Sequence, residues 1–216
     1  MPYAAKDRQE FIKRSNIASD ARVLDFGGML SEELPSAVSG ITTPRPLTNA
    51  ILIKPTLLPF KNSAFNAVVS YHYFDLVSSE ILGFAFDEAA RVLAKDSGFS
   101  FVLLQWSAQN DAQKSSLLFN ELLKSTGALF RHEFEDVSRQ LSASGFSEIT
   151  VEIVKRDIRV PEEYVRAHLV MLGNLIKKEK AQGGTGIRML ARQYFNHVKV
   201  HGEAMLPALH FTAKKL

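Results

Sequence analysis

The residues best suited to chemistry lie at three places. The first is the end of Ala21-Arg22-Val23-Leu24-Asp25-Phe26-Gly27-Gly28, an apolar run closing in glycines. Such a run reads as a buried strand entering a tight turn, and glycine there lets backbone approach a ligand closely. Asp25 either caps that turn or contacts what binds beside it. Gly27 and Gly28 either admit a ligand or only turn the chain. The second place is Tyr71-His72. Imidazole titrates near neutral pH, so His72 suits a general base; the other reading is a partly buried, hydrogen-bonded histidine. The third is His197 and His201, spaced like metal ligands on a helix. No third ligand is evident in the sequence and Gly202 marks the helix end, so no metal is expected.

These residues need elements to hold them. Ala4–Ser15 forms a short helix anchored by Phe11 and Ile12. Ser31-Glu32-Glu33 starts a second one, with serine as cap and the acids at its positive end; Pro35 and Gly40 keep it short. Ile41–Pro46 is at best a weak strand, broken by two prolines, and Ala50–Lys54 a better one. Ala67–Ser70 is a third short apolar run. Ser79–Leu93 reads as a helix with Phe86, Ala89, Ala90 and Leu93 on its core face, and Phe99–Trp106 as a strong buried strand. Trp106, at its end, either lines a crevice or fills the core.

A helix with the stripe Leu117, Leu118 and Leu122 runs to Gly127, and another spans Glu133–Ser144 before Gly145. Ile149–Ile153 alternates like a half-buried strand. Pro161, Glu162 and Glu163 open a helix that Lys177 and Lys178 complement at its far end. Its apolar stripe is wide, which predicts burial on more than one side and a homodimer through the 161–178 helix. Gly183-Gly184 breaks the chain before a helix carrying Ile187, Leu190, Tyr194 and Val198, and Ala208–Ala213 is the last strand. Strands alternating with helices imply an α/β domain with a mostly parallel sheet and helices on both faces. The closing order, a strand, two helices and a final strand, implies an antiparallel last strand and a helical insertion at about 160–201 in one domain covering 1–216.

Composition narrows the class. The chain has 216 residues, 46% hydrophobic and 23% charged, enough to bury a core unaided. It has no cysteine, which excludes disulfides and thiolate sites and fits a reducing, cytoplasmic setting. Met1–Arg8 lacks the apolar run of a signal peptide, and no stretch is long enough to span a membrane. The net charge is only +3 and the basic residues are scattered, so nucleic acid is not an expected partner.

Several stretches then resemble the class I S-adenosylmethionine-dependent methyltransferases, especially the small-molecule type called type 11. They are Val23–Gly28 as the first-strand motif, Leu58-Pro59-Phe60 through Ser70, Glu88–Gly98, Leu141–Ile149 with Ser144-Gly145-Phe146, and Phe211–Lys215. They occur in the family's order and cover most of the chain from Arg22 onward. The resemblance implies a Rossmann-like methyltransferase fold and an S-adenosyl-L-methionine site contacted by Asp25, Gly27, Gly28, Leu58 and Ser70. It also implies a small-molecule substrate, with Tyr71 and His72 facing substrate or cofactor.

The same comparison exposes departures. Met29 and Ser31 stand where the family has glycines. Ile41–Pro46 offers no acid for the ribose hydroxyls, and Lys54 falls where an acid meets the adenine amino group, a contact a cation cannot accept. Asn66 replaces the usual aspartate. Little chain separates Gly28 from Leu58, so a helix between the second and third strands is expected to be trimmed or lost. The implied activity is methyl transfer to an unidentified small molecule. The alternative is a methyltransferase-like protein that has lost cofactor binding and serves as a partner subunit or binds another ligand.

Overall fold

The computed structural model describes residues 2–182 and 186–216, so the expected break at Gly183-Gly184 lies outside the described residues. The strands are β1 (Val23–Phe26), β2 (Val38–Ile41), β3 (Ala50–Leu52), β4 (Phe65–Tyr71), β5 (Leu93–Leu104), β6 (Phe146–Val154) and β7 (Ala208–Lys215). The helices are α1 (Ala5–Arg14), α2 (Ser79–Val92), α3 (Asp111–Ser125), α4 (Phe134–Ala143), α5 (Glu162–Gln182) and α6 (Gly186–His201). The chain divides into two compact units. One comprises Met1–Leu104, His132–Ile153 and Leu209–Leu216; the other comprises Gln105–Arg131 and Val154–Ala208.

The first unit is built on a seven-stranded sheet of order β3-β2-β1-β4-β5-β7-β6. The pairs β1–β2, β1–β4, β2–β3 and β4–β5 are parallel. β7 runs antiparallel to both neighbours. Its Thr212 meets Thr150 and the Leu216 N–H reaches the Gly145 carbonyl, while His210 meets Ser100 and Lys215 reaches the Leu93 carbonyl, so position rises on one strand as it falls on the other. As expected, β1, β4 and β5 lie side by side.

Alternation along the strands sorts the two faces. One face sends Leu24, Phe26, Val68, Phe99, Phe101 and Leu103 into a core with Leu82, Phe86 and Ala89 of α2 and Val137 and Leu141 of α4. Phenylalanines dominate it: Phe101 stacks on Phe211 at 4.9 Å, and Phe74 sits 5.3 Å from Phe101 and 5.4 Å from Phe86. Each fully buried ring stabilises by roughly 1.5–3 kcal/mol. The other face is covered by α1, whose Phe11 packs on Tyr71 and His210.

Two expectations are corrected. Among the described residues no helix forms between β1 and β2; turns lead from Gly28 to β2, and Arg8 of α1 holds that segment through Glu33 at 2.6 Å. Pro35 and the short span leave no room for a stable helix. The second strand is Val38–Ile41, not Ile41–Pro46. Gly40 is inside it: a Cβ there would lie 2.9 Å from Ile53 Cδ1, so its bare backbone is what β3's flank packs against. Pro44 and Pro46 fall in the following loop, where their missing N–H groups cost no ladder bond. No helix lies between β2 and β3 among the described residues.

The second unit is helical. α3 packs along α6, and Phe119, Leu122, Leu172, Ala191, Tyr194 and Val198 form its core. The expected 160–201 insertion falls inside this unit. Along α5, Leu172 is buried while Val170 and Met171 are exposed. Trp106 lies beyond the end of β5 rather than on it, under Lys124 at 5.7 Å. No helix among the described residues is long and apolar enough to cross a membrane.

Candidate functional site

In an open parallel sheet the natural ligand crevice lies beyond the carboxyl ends of the strands. Here those ends belong to β1, β2 and β4, and they bring together Asp25, Gly27, Gly28, Tyr71 and His72. β1 delivers Asp25 on the α1 face, beside Ser39 of β2 and Val69 of β4. Its Oδ2 accepts the Leu30 N–H at 2.7 Å, which is the turn-capping role. Its Oδ1 has no hydrogen-bond partner, and the residue is fully buried. Burial pushes its pKa up to about 7, against the N–H groups of Leu30 and Met29 and the Arg45 charge, which pull it down.

Gly27 and Gly28 both have positive φ, at 106° and 63°. Glycine belongs in such a turn. What approaches that turn is the chain itself. A Cβ on Gly27 would lie 2.4 Å from Tyr73 Cβ, and one on Gly28 would lie 2.6 Å from Ile41 Cγ2 and 2.9 Å from the Arg45 guanidinium. Arg45 donates to the Gly27 carbonyl at 2.5 Å and the Gly28 carbonyl at 2.9 Å. Tyr73 pairs with Thr42, and its burial raises its pKa. The close-approach surface that glycines create is thus already occupied by Arg45 and Tyr73.

Neither residue was singled out from sequence. The available signal was Pro44-Arg45-Pro46, a cation on a stiffened loop directly after the second strand. That loop takes the place where a ribose-binding acid would stand, and Lys54, after β3, is exposed. The glycine turn is thus covered by Arg45 and Tyr73, and no acid stands at the two positions where the resemblance implies ribose and adenine contacts.

The remaining site residues are placed as follows. Tyr71 ends β4 and its hydroxyl donates to Asp7 of α1 at 2.5 Å. His72 adopts φ 57°, a conformation uncommon for a residue with a side chain, and Nδ1 lies 2.6 Å from Asp75 Oδ2. Asp75 is buried and also accepts the Leu104 N–H at 3.0 Å. Ser70 is buried toward the α2 side, and its hydroxyl has no partner. Leu58 is in the core. Its N–H donates to Glu88 at 2.6 Å and its carbonyl accepts from Arg91 at 2.9 Å. Arg91 also reaches the Phe60 carbonyl and Asn62. The Glu88–Arg91 pair of α2 thus clamps the Leu58–Asn62 segment.

A cavity of about 760 Å³ lies elsewhere, at the amino end of β4 on the α1 face, lined by Asn66, Ala67, Gly98, Ser100, Thr150 and Thr212 among others. Small residues on the strands leave this space. Ser15, Ser100 and His210 are linked beside it at 2.7 and 2.8 Å, and burial lowers the His210 pKa. It is at the opposite end of β4 from His72.

No protein-family model matches the chain, and no curated protein matches it. Solved structures do. An S-adenosylmethionine-dependent methyltransferase of Thermotoga maritima is 11% identical with a TM-score of 0.60, over 100% of this chain and 90% of that one. A geranyl diphosphate methyltransferase solved with its diphosphate and sinefungin is 10% identical with a TM-score of 0.61, over 98% and 78%. The [4+2]-cyclase SpnF is 16% identical with a TM-score of 0.56, over 98% and 80%. The chain has the class I methyltransferase fold, Rossmann-like with an antiparallel last strand.

Proposed function

We propose that this chain is a methyltransferase-fold protein that does not hold S-adenosylmethionine in its crevice and acts as a binding protein, for another ligand or a partner. The observation that carries this is Arg45, whose guanidinium is bonded to the carbonyls of Gly27 and Gly28 where a cofactor would lie. The absence of an acid after β2 and the cation at Lys54 support it. The [4+2]-cyclase among the structural neighbours bears only on the fold, which does not dictate one chemistry. Calorimetry with S-adenosylmethionine and S-adenosylhomocysteine tests it. The expected dissociation constants are about 1 mM or weaker, given roughly 1.5–3 kcal/mol for each missing charged contact. A low-micromolar value would overturn it.

A second reading, an active small-molecule methyltransferase, is favoured by one observation. His72 is held by Asp75 through Nδ1, a pairing that orients the imidazole, and its left-handed backbone is of the kind that clusters at functional sites. On that reading His72 takes the substrate proton, Tyr71 helps shape the site, and catalysis rests on positioning. Methyl-transfer turnover lost in His72→Ala would support it.

A further inference from the structure

α3 and α6 bring Asp111 to a pair of histidines far from it in sequence. His197 and His201 stand one turn apart on α6 with ring centroids 4.5 Å apart. The sequence offered them no third ligand. The fold supplies Asp111, the first residue of α3, at the end where α6 finishes. One ligand atom from each of the three lies within 4.8 Å of the others, and Asp111 Oδ2 is 3.8 Å from His201 Nδ1. We propose that Asp111, His197 and His201 bind a divalent transition-metal ion of the zinc class, with water completing the coordination.

The donor set selects the metal. Two imidazoles and a carboxylate suit zinc, cobalt or nickel, whereas calcium and magnesium take oxygen ligands. Three protein ligands with an open position are a known zinc arrangement. Bonds of about 2.0–2.1 Å put tetrahedral ligand atoms about 3.3 Å apart. Closing from separations of up to 4.8 Å needs side-chain rotation, and Asp111 and His201, with side chains 67% and 37% exposed, have room for it. The ring of His197 is already oriented. Ser115 Oγ lies 3.0 Å from its Nδ1, which leaves Nε2 for the ion, as outer-shell partners do for metal-bound histidines. The helix ends are balanced at this place: His201 is the last residue of α6, whose carbonyl end favours a cation, while the amino end of α3 at Asp111 opposes it. Lys114 is the nearby opposing charge, on a long flexible stem.

The test uses the full-length, untagged, metal-stripped chain, titrated calorimetrically with zinc and nickel, with magnesium and calcium as controls. One equivalent of zinc is expected to bind with a dissociation constant on the order of 10 μM or tighter, and to raise the melting temperature. His201→Ala and Asp111→Asn, both at exposed positions, are each expected to weaken binding at least about tenfold and to abolish the shift, while melting like the parent without metal. No binding up to about 1 mM zinc, or binding that both variants retain, overturns the proposal.

Discussion

The guanidinium of Arg45 lies 2.9 Å from the carbonyl oxygen of Gly28, so the loop after β2 is bonded to the turn after β1. A glycine turn that normally leaves its backbone open to a ligand is closed by the protein's own cation. Removing that cation separates the contribution to stability from the contribution to binding. Arg45→Ala is expected to lower unfolding free energy by about 1 kcal/mol, since the bonds are charge-assisted but partly exposed. It is not expected to produce micromolar affinity for S-adenosylmethionine, because Lys54 and the acid-free loop remain. Urea denaturation and calorimetry on the same sample check both halves.

Gly27→Ala and Gly127→Ala form a matched pair. Both glycines have positive φ, but a Cβ on Gly127 meets nothing within 4 Å whereas one on Gly27 meets Tyr73. Gly127→Ala should cost about 1–2 kcal/mol for backbone conformation alone. Gly27→Ala adds overpacking of about 1–3 kcal/mol against Tyr73. Equal losses on denaturation would show that Tyr73 does not press on the turn.

Asp25 makes stability depend on pH. Its pKa is near 7 when folded and 3.8 as a free side chain. The folded protein therefore holds this proton more tightly than the unfolded chain does. Stability from this residue is greatest below 3.8, falls as pH rises toward 7, and is flat above that. The whole effect is roughly 4 kcal/mol at most. Asp25→Asn removes the titration, so melting curves from pH 4 to 8 should lose part of their decline, with the variant at least as stable as the parent at pH 8. An unchanged pH profile would show that Asp25 is not buried as a near-neutral acid.

Arg91→Ala should cost about 2–3 kcal/mol, because it strands Glu88 and the carbonyls of Leu58 and Phe60. Arg91→Lys should recover little, since an ammonium cannot fork to several acceptors in fixed directions. Thermal unfolding of the two variants side by side is the measurement. Full recovery by lysine would reduce the clamp to simple charge pairing.

β1, β4 and the Phe99–Leu104 half of β5 were legible because each is a short apolar run, mostly buried, and α2 and α4 because their stripes repeat at helical spacing; the strand's earlier start at Leu93 was missed because Ala94–Gly98 is polar and partly exposed. The second strand was misplaced because Gly40 looks like a stop when it is a packing requirement: only its contact with Ile53 reveals that. Asp25 and the two glycines were singled out from local pattern alone, and the structure places them together at the end of β1. Arg45 and Tyr73, which cover the glycine turn, were not, since neither type signals such a role until the loop is folded back. Asp111 was invisible as a partner of His197 for a related reason. Its neighbourhood is created by α3 packing on α6, and no spacing rule reaches across that distance in the chain.

The direct link from β2 to β3, through Thr42–Asn49, carries a mechanical consequence. Extended chain gains at most about 3.3–3.6 Å per residue, so this link can span far more than the step it makes, because Ala50 pairs beside Ser39, just behind the end of β2. The loop is therefore slack, and its course is set by its two prolines and by the bonds of Arg45 to the Gly27 and Gly28 carbonyls, not by tension between the strands. A molecule entering above Gly28 would have only those bonds to displace, and the chain that carries them has length to spare for moving aside.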